Sequence, residues 1–146
     1  MTLTNPRYRA TNPFMKTDEV KPFVVTNHAE INTHSGGCHC GAVRYEVTMS
    51  LERTVSCNCS ICTKAGYLLA FVPANQFKLL SGEDVLKDYQ FNKKIAHHVF
   101  CSVCGIHSFS QGASPDGQQM RVINLRCLDN IDLDALTPQK IDGRKW

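Results

Sequence analysis

The sequence predicts a predominantly β domain whose helical elements are too short to organise it. Two observations carry that reading. Apolar and polar residues alternate strictly over residues 43–49, and further short apolar runs follow, separated by turn residues. A third observation qualifies it: most of the cysteines stand in close-set groups, so something besides an apolar core is expected to pin the fold. At 146 residues the chain suits one domain with its own core.

Val43, Tyr45, Val47 and Met49 alternate with Arg44, Glu46 and Thr48, as a half-buried strand requires, because successive side chains point to opposite faces. Further strands are expected at 67–72, 77–80, 85–91, 98–101, 107–110 and 120–128, with turns at Ser81-Gly82 and Pro115-Asp116-Gly117 between them. Single helical turns are expected at 59–64, 73–76 and 133–136. In the last strand, period two puts Ile123, Leu125 and Cys127 on one face, so Cys127 reads as a buried packing residue. Residues 1–33 hold three of the six prolines and neither glycine nor cysteine. They read as a partly ordered N-terminal extension, with 23–25 as a possible edge strand, ahead of a domain at 34–146. The single tryptophan, Trp146, is expected to cover a sheet edge or pocket rim.

Sixteen basic residues against thirteen acidic ones give a net charge of +3, and no basic run exceeds two residues, which argues against a nucleic-acid footprint. No apolar run approaches the roughly 20 residues that span a bilayer, and the first 30 residues lack an apolar signal core. The expected location is the cytoplasm.

Seven of the eight cysteines fall into Cys38-His-Cys40, Cys57-Asn-Cys59-Ser-Ile-Cys62 and Cys101-Ser-Val-Cys104; Cys127 stands apart. Sulfurs so close in sequence can converge on one ion, whereas a disulfide between near neighbours strains the backbone. Zinc is the expected ligand, with a redox or disulfide role as the alternative. The simplest arithmetic is one four-sulfur and one three-sulfur site. Cys101 to Gly105 has the form of a zinc knuckle, and Cys38 to Gly41 offers a second pair followed by glycine. Sharing one ion, these pairs would make a closed structural site. The trio Cys57, Cys59 and Cys62 would leave a fourth position for water or substrate, as a catalytic zinc requires, unless His98, His107 or His39 closes it.

These motifs resemble a known family, the glutathione-dependent formaldehyde-activating enzymes and centromere protein V. The resemblance runs from Gly36 to Trp146, through Gly-Gly-Cys-His-Cys-Gly-Ala-Val-Arg-Tyr-Glu-Val, Cys-Asn-Cys-Ser-Ile-Cys-Thr-Lys, Val-Pro-Ala-Asn-Gln-Phe, Phe-Cys-Ser-Val-Cys-Gly-Ile-His-Ser-Phe, Arg-Cys-Leu-Asp and Asp-Gly-Arg-Lys-Trp. The Asn-Cys-Ser-Ile-Cys and Gly-Ile-His-Ser-Phe runs and the Asp-Gly-x-x-Trp end are nearer the centromere-protein-V-like branch. The resemblance implies a zinc-bound β-tent of two or three small antiparallel sheets. It implies a structural zinc on Cys38, Cys40, Cys101 and Cys104, and a second, more labile zinc on Cys57, Cys59 and Cys62. It also implies a carbon-sulfur lyase that joins glutathione, or a similar small thiol, to formaldehyde or another small aldehyde.

Such chemistry needs a thiolate near neutral pH and a held carbonyl, and a cation at the trio would lower the pKa of an incoming thiol. Lys64, Arg121 and Arg126 are the basic residues nearest the motifs and could meet the carboxylates of a glutathione-like substrate, although each also suits a solvated surface charge. His98 and His107 flank the knuckle as candidate proton shuttles, or as rings bonded within the sheet. Asn58 and Ser60 could donate hydrogen bonds to the sulfurs or serve the turn. Two other classes of function compete with the lyase: a zinc-stabilised binding module without catalysis, and a redox sensor built on the labile trio.

Overall fold

The structure, a computed structural model, describes residues 28–145; the edge strand expected at 23–25 and Trp146 lie outside them. Its centre is β2 (Arg44–Met49). Tyr45, Val47 and Met49 are buried, as is Val43 just before them, while Arg44, Glu46 and Thr48 stand half-exposed between, which is the alternation read from the sequence. β1 (Asn32–Gly37) lies antiparallel along one side of β2, and β5 (Phe77–Ser81) along the other, with a register shift at Arg44/Tyr45.

A second sheet holds β3 (Val55–Cys57), β4 (Leu69–Pro73), β8 (Phe109–Ala113), β9 (Gln119–Asn124) and β10 (Gln139–Ile141), in the order β10-β3-β4-β9-β8. β6 (Leu86–Tyr89) and β7 (His98–Cys101) form a two-stranded antiparallel ribbon. The fold is thus mainly β in several small sheets. One pairing departs from the antiparallel expectation: β10 runs parallel to β3, since it arrives by a long excursion through β4 to β9 rather than by a hairpin.

Tyr45 joins the first two sheets. Its ring lies 5.1 Å from that of Phe77 and 5.7 Å from that of Phe109, those two are 4.7 Å apart, and its hydroxyl donates to the Ser108 carbonyl at 3.2 Å. Such ring contacts add about 0.5–1.5 kcal/mol each beyond the area they bury. Two of the quoted motifs meet at the edge of β1: Arg44 clasps both carboxylate oxygens of Asp129, whose N–H bonds the Ser35 carbonyl.

The expected helical turns form as α1 (Ser60–Ala65) and as 3-10 turns at Ala74–Gln76 and Leu133–Ala135. The strand expected at 85–91 is shorter, because residues Glu83–Val85 make a 3-10 turn. The strand expected at 120–128 stops at Asn124. The Asn124 side chain accepts the Arg126 N–H and turns Leu125–Cys127 into a 3-10 turn. Period two therefore fails at Cys127. Ile123 and Leu125 are fully buried, whereas Cys127 is half-buried, with its thiol toward the His107 carbonyl at 3.8 Å.

Candidate metal centres

Two tight turns from different parts of the chain build the first cluster. Gly41 and Gly105 both adopt left-handed φ, at 79° and 78°, and their N–H groups bond back to the carbonyls of Cys38 and Cys101. The turns aim four sulfurs at one point: Cys38, Cys40, Cys101 and Cys104 all lie within 4.8 Å of one another. The Cys38 and Cys40 sulfurs are 3.6 Å apart, and those of Cys40 and Cys101 are 3.7 Å apart. Four sulfurs at about 2.3 Å from a tetrahedral zinc would be separated by about 3.8 Å, so the donor set and its spacing fit that ion. Burial pushes the Cys38 thiol up to about 12 and raises Cys40 as well. Burial also opposes ionisation of Cys104, but N–H groups of Ile106 and Cys40 outweigh it and pull that thiol down. A dication would reverse the cost of ionising the buried members.

The second cluster lies where β3 runs into α1. Cys57 ends the strand, Cys59 is the N-cap residue of the helix and Cys62 sits in its first turn, and the three sulfurs fall within 4.8 Å of one another. Cys62 is buried, while Cys57 and Cys59 are half-exposed. The donor chemistry again fits zinc, with three ligands rather than four. Among the described residues no histidine nitrogen or carboxylate oxygen lies within 4.8 Å of all three sulfurs. Burial disfavours ionising Cys59, yet the N–H groups of Cys62 and Ile61 and the neighbouring thiols prevail and lower its pKa; burial raises that of Cys62. Of these two thiols, Cys59 is the readier to ionise.

The segment before the chain end supports this cluster. The Asn58 N–H bonds the Ile141 carbonyl, and its side-chain oxygen accepts the N–H of buried Gly143 at 2.8 Å. Asn58 thus serves the turn rather than the sulfurs, and the Asp-Gly-Arg motif is the strap that holds it. Asn58→Ala is expected to weaken zinc binding at the trio about 10–100-fold, as the loss of a partner that orients ligands does, while sparing the four-sulfur site. Competition against a chromophoric chelator reads this; equal weakening of both sites, or of neither, contradicts it.

The remaining candidates divide. Lys64 is exposed in the last turn of α1, and Arg126 donates through Nε to the carbonyl of Gly66, the left-handed residue that ends α1. Both therefore stand at the far end of the helix that carries Cys62. Arg121 lies elsewhere, with its guanidinium over Phe77 at 5.9 Å. The His107 ring sits 5.1 Å from Phe100 and 5.9 Å from Tyr67, and His98 stacks on Phe91 at 5.2 Å. Burial lowers the pKa of both histidines, so both are neutral imidazoles at neutral pH. Two neighbours escaped the sequence reading. Asn124 is buried and holds the His107 carbonyl through Nδ2 at 2.9 Å, and Tyr67, read only as a strand residue, packs its ring on His107. The Gly66 helix stop just before Tyr67 was the one local signal that could have marked it.

Fold and clusters together define a small β protein with paired cysteine-rich centres suited to zinc. The sequence model of the family described as "Glutathione-dependent formaldehyde-activating enzyme" matches residues 33–142, and the chain belongs to that family. Among solved structures it is similar to the crystal structure of a Rhodobacter sphaeroides protein, with a TM-score of 0.65 and 29% sequence identity over 73% of this chain and 97% of that one. No helix among the described residues is long and apolar enough to cross a membrane.

Proposed function

We propose that this protein is a carbon-sulfur lyase acting on the adduct of glutathione, or a similar small thiol, with formaldehyde or another small aldehyde. The observation that carries the reading is the trio: three convergent sulfurs, two of them half-exposed, with no fourth ligand from the described chain. A zinc ion there would supply the positive centre that lets an incoming thiol ionise near neutral pH. The four-sulfur cluster is, in this reading, a second and purely structural zinc site. Lys64 and Arg126, beside the trio's helix, give the carboxylates of a peptide thiol their partners, and neutral His107 and His98 carry protons between the site and solvent. The eight unbridged cysteines suit a reducing compartment, so we place the reaction in the cytoplasm. The motif details noted above put the chain, in our reading, nearer the centromere-protein-V-like branch.

A second reading has its own observation. Cys59 combines partial exposure with a lowered pKa, the properties of an oxidisable sensor thiol. One experiment separates the two. Zinc per chain and adduct turnover are measured on protein purified without chelator, then after a weak chelator, then after mild oxidant. The lyase reading expects two zincs falling to one with the fold retained, and turnover lost with that ion and regained with added zinc. Turnover that never rises above the uncatalysed reaction, together with reversible release of one zinc by oxidant, favours the sensor. No zinc and few free thiols defeat both.

A further inference from the structure

A sheet that packs one face on a core and turns the other to water alternates apolar residues inward with polar ones outward. The five-stranded sheet departs from that rule. Its inward positions are buried, as Ala70, Val72, Phe109 and Ile123 show. The residues between them on β4 and β9 point the other way and are apolar too: Leu69, Phe71 and Pro73 on β4, Met120 and Val122 on β9. Register makes them one surface, since Phe71 lies opposite Val122 and Pro73 opposite Met120, while Val55 of β3 pairs with Leu69 and joins the same face. Phe71 is 51% exposed and the others are half-buried. None of the strand residues that period two places on this face is charged. Contiguous apolar surface left open to water marks a place where something binds.

The same face runs into the cysteine trio. Cys57 is two residues beyond Val55 on β3, so its side chain leaves the strand on the face that Val55 shares with Leu69. Ile141 of β10 lies beside Cys57 in the parallel register, and its carbonyl accepts the Asn58 N–H at 3.2 Å. Ile141, Val55 and Leu69 therefore make an apolar strip that begins beside Cys57 and leads to Phe71, about 14 Å from Cys57 by strand geometry. The cations offered to a peptide thiol, Lys64 and Arg126, stand instead at the far end of α1. A thiol held at the trio thus has charged partners along the helix for its peptide, and an uncharged sheet face for whatever is bonded to its sulfur.

We propose that this strip is the aldehyde subsite, and that the favoured substrate is the thiol adduct of an apolar aldehyde of about six to nine carbons, the length that spans from the trio to Phe71. The proposal rests on the lyase reading of the trio and carries it from the smallest aldehydes to those with a hydrophobic tail. The bond chemistry is the same for both. In synthesis the thiol sulfur forms the carbon-sulfur bond, the carbonyl π pair moves onto oxygen, and the proton lost by the thiol reaches that oxygen by way of solvent. Thiol plus aldehyde become adduct, with no oxidant or reductant; cleavage runs the same steps backwards. A tail lying on the strip leaves water on one side only, so each methylene raises affinity about twofold, against about fourfold for full burial.

Calorimetric titration of the zinc-loaded protein with S-methylglutathione and S-octylglutathione tests this, because these thioethers carry the tail but lack the hydroxyl that cleavage needs. The octyl compound is expected to bind about 100-fold more tightly, and the glutathione adduct of octanal to be turned over with a higher kcat/KM than that of formaldehyde. Leu69→Thr and Phe71→Thr put a polar residue suited to a strand at positions open to water, so the unfolding midpoint is expected to hold while the octyl-to-methyl ratio falls at least about fivefold. Equal binding of the two thioethers by the wild type, or a preference that both variants retain, overturns the subsite. If the formaldehyde adduct is turned over all the same, the lyase reading stands without it. A wild type that sediments as a dimer, and as a monomer with Phe71→Thr, makes the face a contact between two copies of the chain and also overturns the proposal. Full zinc with turnover of neither adduct removes the lyase reading, and the subsite with it.

Discussion

Cys101→Ser is expected to leave no cooperatively folded protein. Cys101 is fully buried at the end of β7, where it pairs with Leu86 of β6, and its sulfur lies 3.7 Å from that of Cys40, 61 residues earlier in the chain. An ion held by these sulfurs would therefore tie the β6-β7 ribbon to the turn before β2. Structural zinc in comparable sulfur-rich sites contributes about 10–16 kcal/mol at neutral pH. A whole domain of this size is stable by only about 5–15 kcal/mol, so losing a large part of that contribution exceeds what the apolar core can replace. Serine fills the space but does not ionise near neutral pH, and an unpaired hydroxyl would remain at a site with no access to water. Circular dichroism melts and zinc per chain measure the outcome. Cys127→Ser is the comparison: its thiol belongs to neither cluster, and a cooperative melt is expected to survive. A Cys101→Ser protein melting cooperatively within a few degrees of the wild type would show that the four-sulfur cluster does not hold the fold.

What could be read from the sequence was what local spacing decides. The alternation at 43–49 identified β2 because a strand that buries one face repeats every second residue. Cysteines two or three apart marked the three motifs, because a turn of that length brings its own ends together, but that two of those motifs, 61 residues apart at Cys40 and Cys101, meet in one cluster is not decided by local spacing. The strands that went unseen are those whose identity comes from their partners. β1 is Asn-Thr-His-Ser-Gly-Gly, with no apolar residue, and is a strand because β2 offers it a ladder; β3 and β10 have three residues each and define one another. Cys127 was misread because a side-chain bond of Asn124 turned the chain there, four residues before the expected end of the strand at 128. The role of the Asp-Gly-Arg motif was hidden for a similar reason, since Asn58 and Gly143 stand 85 residues apart.

Cys59→Ser is expected to do the opposite of Cys101→Ser: to abolish adduct turnover and keep the fold. Cys59 occupies the N-cap position of α1, where serine is among the favoured residues, so the helix loses nothing locally and can gain up to about 1 kcal/mol. Its sulfur is half-exposed, and the core that Tyr45, Phe77 and Phe109 hold together does not involve it. Within the trio, however, the surrounding N–H groups and thiols lower the pKa of Cys59, which readies it to offer a thiolate to a cation. Changing a group that merely orients a metal ligand costs about 10–100-fold in affinity or activity, so removing a ligand from a set of three should cost more than about 100-fold and bring turnover down to the uncatalysed reaction. The expected protein has one zinc per chain, an unfolding midpoint within a few degrees of the wild type, and no adduct turnover above background. If it keeps its turnover, the chemistry is not at the trio. If it loses both zincs and its cooperative melt, the two clusters are one structural unit, and assigning separate roles to them is wrong.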